Sequence, residues 1–101
     1  MHVSSDKVLW NFARTHPDAA KPLAIWLRLV QHGHFQNLVE LKHTFASVDM
    51  VPVKGQAFYV FNIGGNKYRL IATIHFQAQH VFVRSVLTHA DYSTDRWKKK
   101  L

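Results

Sequence analysis

The groups in this chain that can move protons or hold negative charge are histidines, arginines, lysines and tyrosines. None of the 101 residues is cysteine, which removes disulfides, thiolate nucleophiles and cysteine-based zinc sites together. The acids are Glu40 and the scattered Asp6, Asp18, Asp49, Asp91 and Asp95, so no local carboxylate pair suggests a glycosidase or a magnesium nuclease. Of the eight histidines, only His32-Gly33-His34 suggests a metal pair, and no third and fourth ligand at a recognisable spacing joins it. Neither a metal nor another cofactor is expected.

Three positions remain. Arg69 lies between Tyr68 and Leu70, and Arg84 between Val83 and Ser85, each a charge inside an apolar run. His89 closes the last such run, with Asp91 and Tyr92 just behind it. Cleaving RNA without a metal needs a base for the 2′-hydroxyl, cations for the crowded phosphorane and an acid for the departing 5′-oxygen. Imidazole, guanidinium and phenol can fill those posts. Each residue also has an ordinary reading: a strand arginine in a surface ion pair or a protein contact, and a structural histidine at a strand end. Lys98, Lys99 and Lys100 read as a solvated tail that adds diffuse attraction for phosphate.

Thirteen Lys and Arg against six acids give a formal charge of +7, which points to a polyanionic partner. A basic face releases condensed counterions from nucleic acid before any base is read. There is no apolar run near 18 residues and no signal peptide, so no membrane partner is expected, and the lack of cysteine suits the cytoplasm.

The elements that must position these groups form one α+β domain over residues 1–101. Val8, Leu9, Phe12 and Ala13 suit one short helix; Leu23, Trp26, Leu27 and Val30 follow the i, i+3, i+4, i+7 spacing of a second. Asp18 is a candidate N-cap for that second helix, Pro22 suits a first helical position, and Gly33 ends it. Asn37 to Glu40 resembles a capping box for a third helix burying Leu38, Leu41 and Phe45. From Phe58 the texture turns β-branched and aromatic: 58–63, 67–76 and 80–88 read as an antiparallel meander split by Gly64-Gly65-Asn66 and Gln77-Ala78-Gln79. Residues 49–56, with Pro52 and Gly55, read as a flexible loop, and 89–101 as a short helix or tail.

Taken together, Phe61-Asn62-Ile63, Gly65-Asn66-Lys67-Tyr68-Arg69-Leu70, Val81-Phe82-Val83-Arg84 and Thr88-His89-Ala90-Asp91-Tyr92 resemble the HigB toxins of type II toxin–antitoxin systems. His16-Pro17-Asp18-Ala19, Pro22-Leu23 and Trp26 extend the resemblance into the helical half. The resemblance implies a RelE-like fold, N-terminal helices packed on a twisted antiparallel sheet. It also implies endonucleolytic cleavage of mRNA, often on the ribosome, and inhibition by a HigA-type helix-turn-helix antitoxin, through which alone DNA would be contacted. By position, Arg69 resembles the arginine that contacts the scissile phosphate, Arg84 a second cation, His89 the proton-transfer histidine and Tyr92 an aromatic that orients substrate. Lys67 and His2 resemble basic residues that hold RNA. The segment 46–57 and Ser85-Val86-Leu87 depart from the family pattern. Two other readings use the same basic face: an RNA- or ribosome-binding module without catalysis, and a degenerate toxin kept as a protein partner.

Overall fold

The computed structural model describes residues 1–101. The chain runs β1 (His2–Ser4), α1 (Lys7–Thr15), a 3-10 turn (Pro17–Ala19), α2 (Ala20–His32), α3 (Leu38–Thr44), β2 (Asp49–Val53), β3 (Gln56–Ile63), β4 (Tyr68–His75), β5 (His80–Thr88), α4 (His89–Ser93) and a second 3-10 turn (Arg96–Lys100). The strands form one sheet in the order β1-β5-β4-β3-β2. The apolar spacing of the helices is the face they bury: Leu9 from α1, Leu23, Trp26 and Val30 from α2 and Leu41 from α3 join alternate residues of the sheet in one core. Asn37 caps α3, its side chain accepting from the Glu40 amide at 3.0 Å, while Glu40 Oε1 accepts from the Gln36 amide.

The expected meander is present as β3, β4 and β5, with Gly64 and Gly65 at φ 63° and 71° in the first connection. Three expectations need correction. The sheet is mixed, not wholly antiparallel, because β1 pairs in parallel with β5, His2 opposite His80. A three-residue strand is too short to show alternation, and its place depends on a partner about 80 residues away in sequence. The segment 49–56 is no flexible loop but β2 and a tight hairpin into β3, with Lys54 and Gly55 at φ 51° and 81° between the paired Val53 and Gln56. Two successive positive φ values are what a two-residue hairpin demands, and Pro52 is tolerated because β2 lies at the edge of the sheet. Asp18 does not cap α2, whose N-cap is Ala19 without a side-chain bond. Instead its carboxylate accepts from the Tyr68 hydroxyl at 2.5 Å and pairs with Lys67 at 3.2 Å, tying the helical half to the β3–β4 turn.

Two consequences are measurable. Leu70, fully enclosed at the centre of β4, is expected to cost about 2–5 kcal/mol when truncated to alanine, read as a lower urea midpoint at unchanged m. The Tyr59 phenol is raised above its ordinary 10.0 by burial, the Tyr68 phenol by its bond to Asp18, and the Tyr92 phenol by burial. The folded chain therefore holds these protons more tightly than the unfolded chain. That stabilisation is complete below pH 10 and is lost as pH rises through the raised folded values. Melting temperature should hold steady to about pH 9 and fall above pH 10, less steeply in Tyr59→Phe.

Candidate active site

Alternation along β4 sends Leu70 and Ala72 into the helical core and Arg69, Ile71 and Thr73 to the opposite face. That face carries a second, smaller core of Val53, Phe58, Val60, Ile71 and Trp97, with Val51, Leu87 and Tyr92 packed against it. Trp97 and Tyr92 come from the C-terminal arm, α4 and the second 3-10 turn, which folds back over the sheet. The two rings stack with centroids 5.4 Å apart, and Trp97 Nε1 donates to the Tyr92 carbonyl at 3.2 Å.

Arg69 is held beneath this arm, only 9% exposed. Its Nη1 donates to the carbonyls of Asn66 and Tyr68 at 3.2 and 3.1 Å, and its Nη2 to Asn66 Oδ1 at 2.5 Å. Its guanidinium carbon lies 5.6 Å from the centroid of the Tyr92 ring. Nε and one Nη2 hydrogen are left without a protein acceptor. The one buried side-chain polar atom lacking a partner is Trp26 Nε1, so Arg69 Nε, which has no partner, retains access to solvent. A fixed guanidinium with an open Nε donor is suited to a phosphate oxygen.

Arg84 owes its position to a register shift. Ile71 pairs with Ser85 and Ala72 with Val83, so Arg84 is the extra residue of a β-bulge. The bulge keeps Val83 and Val86, three residues apart, both in the helical core and leaves Arg84 exposed. Its Nε donates to Thr73 Oγ1 at 3.1 Å and its guanidinium lies 5.5 Å from the Phe82 ring centroid. Thr73 is four residues along β4 from Arg69, roughly 13 Å of strand. The two arginines thus share a face without converging on one point.

His89 extends the β4–β5 ladder, its amide donating to the Lys67 carbonyl at 2.9 Å. Leu87 pairs with Arg69, and His89, the first residue of α4, follows two residues later, so its backbone lies at the same end of the sheet as Arg69. The His89 side chain is exposed and forms no hydrogen bond or ion pair within the chain. Burial pushes the Tyr92 phenol up, Asp49 and Asp95 add to the push and Arg69 opposes it, so the hydroxyl stays protonated at neutral pH and can donate. Arg69, His89 and Tyr92 are therefore brought together at one end of the sheet.

Residues 19–95 match the HigB toxin family, described as the RelE-like toxic component of a toxin–antitoxin system. The chain belongs to the HigB toxin family. It is 33% identical over 92 residues to the mRNA interferase toxin HigB of Escherichia coli K12, an alignment covering 91% of this chain and 88% of the relative. The mRNA interferase HigB of Shigella flexneri gives the same identity and coverage. That of Escherichia coli O6:H1 is 30% identical over the same shares. The fold is accordingly the α+β, RelE-like one that the sequence suggested, on a mixed sheet.

The other basic positions of this HigB family member are dispersed. Lys67 lies beside the site but is paired with Asp18, both side chains more than half exposed. Lys98 pairs with Asp95 at 3.5 Å and lies 5.7 Å from the Trp97 ring centroid, and Lys99 is exposed. His2 sits edge-on to His80, at the far end of β5 from His89 and roughly 25–30 Å away along the strand. No three histidines or carboxylates converge as metal ligands, and His32 and His34 lie exposed at and beyond the end of α2. Sequence reasoning misses Asn66, whose residue type signals only a turn, and it misses Thr73 and Trp97. For Arg84 a signal exists: the shift from two- to three-residue spacing in Val81, Val83, Val86 marks the bulge.

Proposed function

We propose that this toxin is an mRNA interferase, cutting RNA by attack of the 2′-hydroxyl on the adjacent phosphate. The observation that carries the reading is Arg69, immobilised by Asn66 and the Tyr68 carbonyl beneath Tyr92, with an open Nε donor and with the unpartnered His89 at the same end of the sheet. The relatives' names, all mRNA interferases, support it. In this reading Arg69 neutralises the charge that builds on the phosphorane. His89 transfers the proton as general base or acid, and Tyr92 orients the nucleotide while its neutral hydroxyl donates to it. The separation of the arginines favours a division of labour, with Arg84 on a neighbouring phosphate. Lys67, Lys98, Lys99 and the more distant His2 add phosphate attraction along the RNA.

As the toxic half of a toxin–antitoxin pair, the chain has an antitoxin partner. We propose a HigA-type helix-turn-helix protein that covers the basic face, brings DNA contact only indirectly, and restores growth on co-expression. Message, on the ribosome in the cytoplasm, is the proposed substrate. The test incubates purified protein with message on ribosomes in magnesium buffer, and with free message in EDTA, and maps the cut ends. Ends with 2′,3′-cyclic phosphate and 5′-hydroxyl are expected; 3′-hydroxyl ends would overturn the mechanism.

A further inference from the structure

Beside the catalytic group, a cavity of about 340 Å³ opens between β5, α4 and the second 3-10 turn, within the size range of small-molecule sites. Its walls include Arg84 and Ser85 from β5, Asp91 from α4, and Arg96, Trp97 and Lys100 from the turn. Arg69, His89 and Tyr92 are not among its lining residues, so it is a separate compartment that meets the catalytic face at Arg84.

Its charges are unspent. The chain's ion pairs are Lys67 with Asp18 and Lys98 with Asp95, so Arg84, Arg96 and Lys100 have no carboxylate partner and Asp91 has no cation partner. The backbone of Asp91 is fixed, and its exposed carboxylate forms no bond within the chain. Its amide donates to Thr88 Oγ1 at 3.1 Å, and its carbonyl accepts from Thr94 Oγ1 at 2.8 Å and from the Thr94 amide at 3.3 Å. Three cations call for an anionic ligand, and a carboxylate set among them calls for a hydrogen-bond donor on that same ligand. A nucleotide carries both, phosphate at one end and base edge at the other.

Resting on the RNA-cleaving reading above, we propose that this cavity receives the base of a nucleotide flanking the cut, and that Asp91 selects bases with an exocyclic amine over uracil. A carboxylate accepts from the N4 amine of cytosine, whereas uracil presents O4 there, lone pairs against lone pairs. Cytidine and uridine are nearly isosteric and differ only along the base-pairing edge, where cytosine presents the N4 amine beside a bare N3 and uracil O4 beside an N3–H, so their comparison, with Asp91→Asn as control, reads out which edge the carboxylate accepts from.

The experiment measures cleavage, on ribosomes, of messages identical except for cytidine or uridine at each position flanking the cut. The wild-type chain is expected to favour cytidine at one position by about tenfold in kcat/KM, and Asp91→Asn to bring the ratio to about one. An equal preference in both proteins, or none in the wild type, would overturn the proposal. If the wild type cuts neither RNA, the interferase reading fails and the pocket is judged by binding alone. Full-length chain is then titrated with cytidine monophosphate and uridine monophosphate while tryptophan fluorescence is followed. Tighter binding of the cytidine nucleotide that disappears in Asp91→Asn upholds the pocket; equal binding, or none, overturns it.

Discussion

Arg69→Lys is expected to lower kcat/KM for RNA cleavage by about 10²–10³-fold, the range seen when a donor aimed at developing transition-state charge is removed. Lysine keeps the positive charge and most of the stem, but a point-like ammonium cannot bond Asn66 and the Tyr68 carbonyl and still present donors to a phosphate oxygen. Lysine is more informative than alanine here. Alanine would leave the buried Tyr68 carbonyl short of a donor and a gap under the arm, a defect of about 1–3 kcal/mol that would mix unfolding with lost catalysis. The assay is single-turnover cleavage at matched folded fraction, with a melting curve for each protein. Activity within about threefold of wild type would remove Arg69 from the mechanism, since transition-state contacts of this kind are worth far more.

His89→Ala is expected to reduce cleavage about 10²–10⁴-fold, the contribution of a positioned proton-transfer group. Stability should change by no more than about 0.5 kcal/mol, because the side chain is exposed and makes no bond within the chain. The bond that holds residue 89 in the ladder comes from its backbone amide, which alanine retains. The variant therefore separates chemistry from folding more cleanly than Arg69 allows. Added imidazole should restore part of the lost rate in His89→Ala and none in Arg69→Lys. Unchanged cleavage by His89→Ala would hand proton transfer to another group, with Tyr92 the nearest phenol on the same face.

Much of the site is legible in the sequence because its residues interrupt apolar strands. A guanidinium between Tyr68 and Leu70 is anomalous in a strand whose alternate residues pack into a core, and it lies on the other face, under Tyr92. The helices are equally legible, since their 3.6-residue spacing is local information. What holds Arg69 is less so. Asn66 is the residue any tight turn would favour, and nothing local reveals that its side chain also accepts from the guanidinium. Trp97, one aromatic in a lysine-rich stretch, has no periodic neighbours to mark it as core. It is buried because the arm folds back over residues distant in sequence, Val53, Phe58, Val60 and Ile71.

By itself, then, the sequence determined the three helices, the β3–β4–β5 meander and the presence of Arg69, Arg84, His89 and Tyr92 on or beside it. Each of these follows from patterns a few residues long. Tertiary structure alone decided that β1 joins β5 in parallel and that the Lys54-Gly55 turn adds β2 to the edge. It also decided that the arm closes over Arg69 and frames a cavity holding an unpaired Asp91. The physical reason is the same in each case: strand partners and buried faces are chosen by contacts between segments far apart in the chain, and period-2 or period-3.6 patterns carry no record of them.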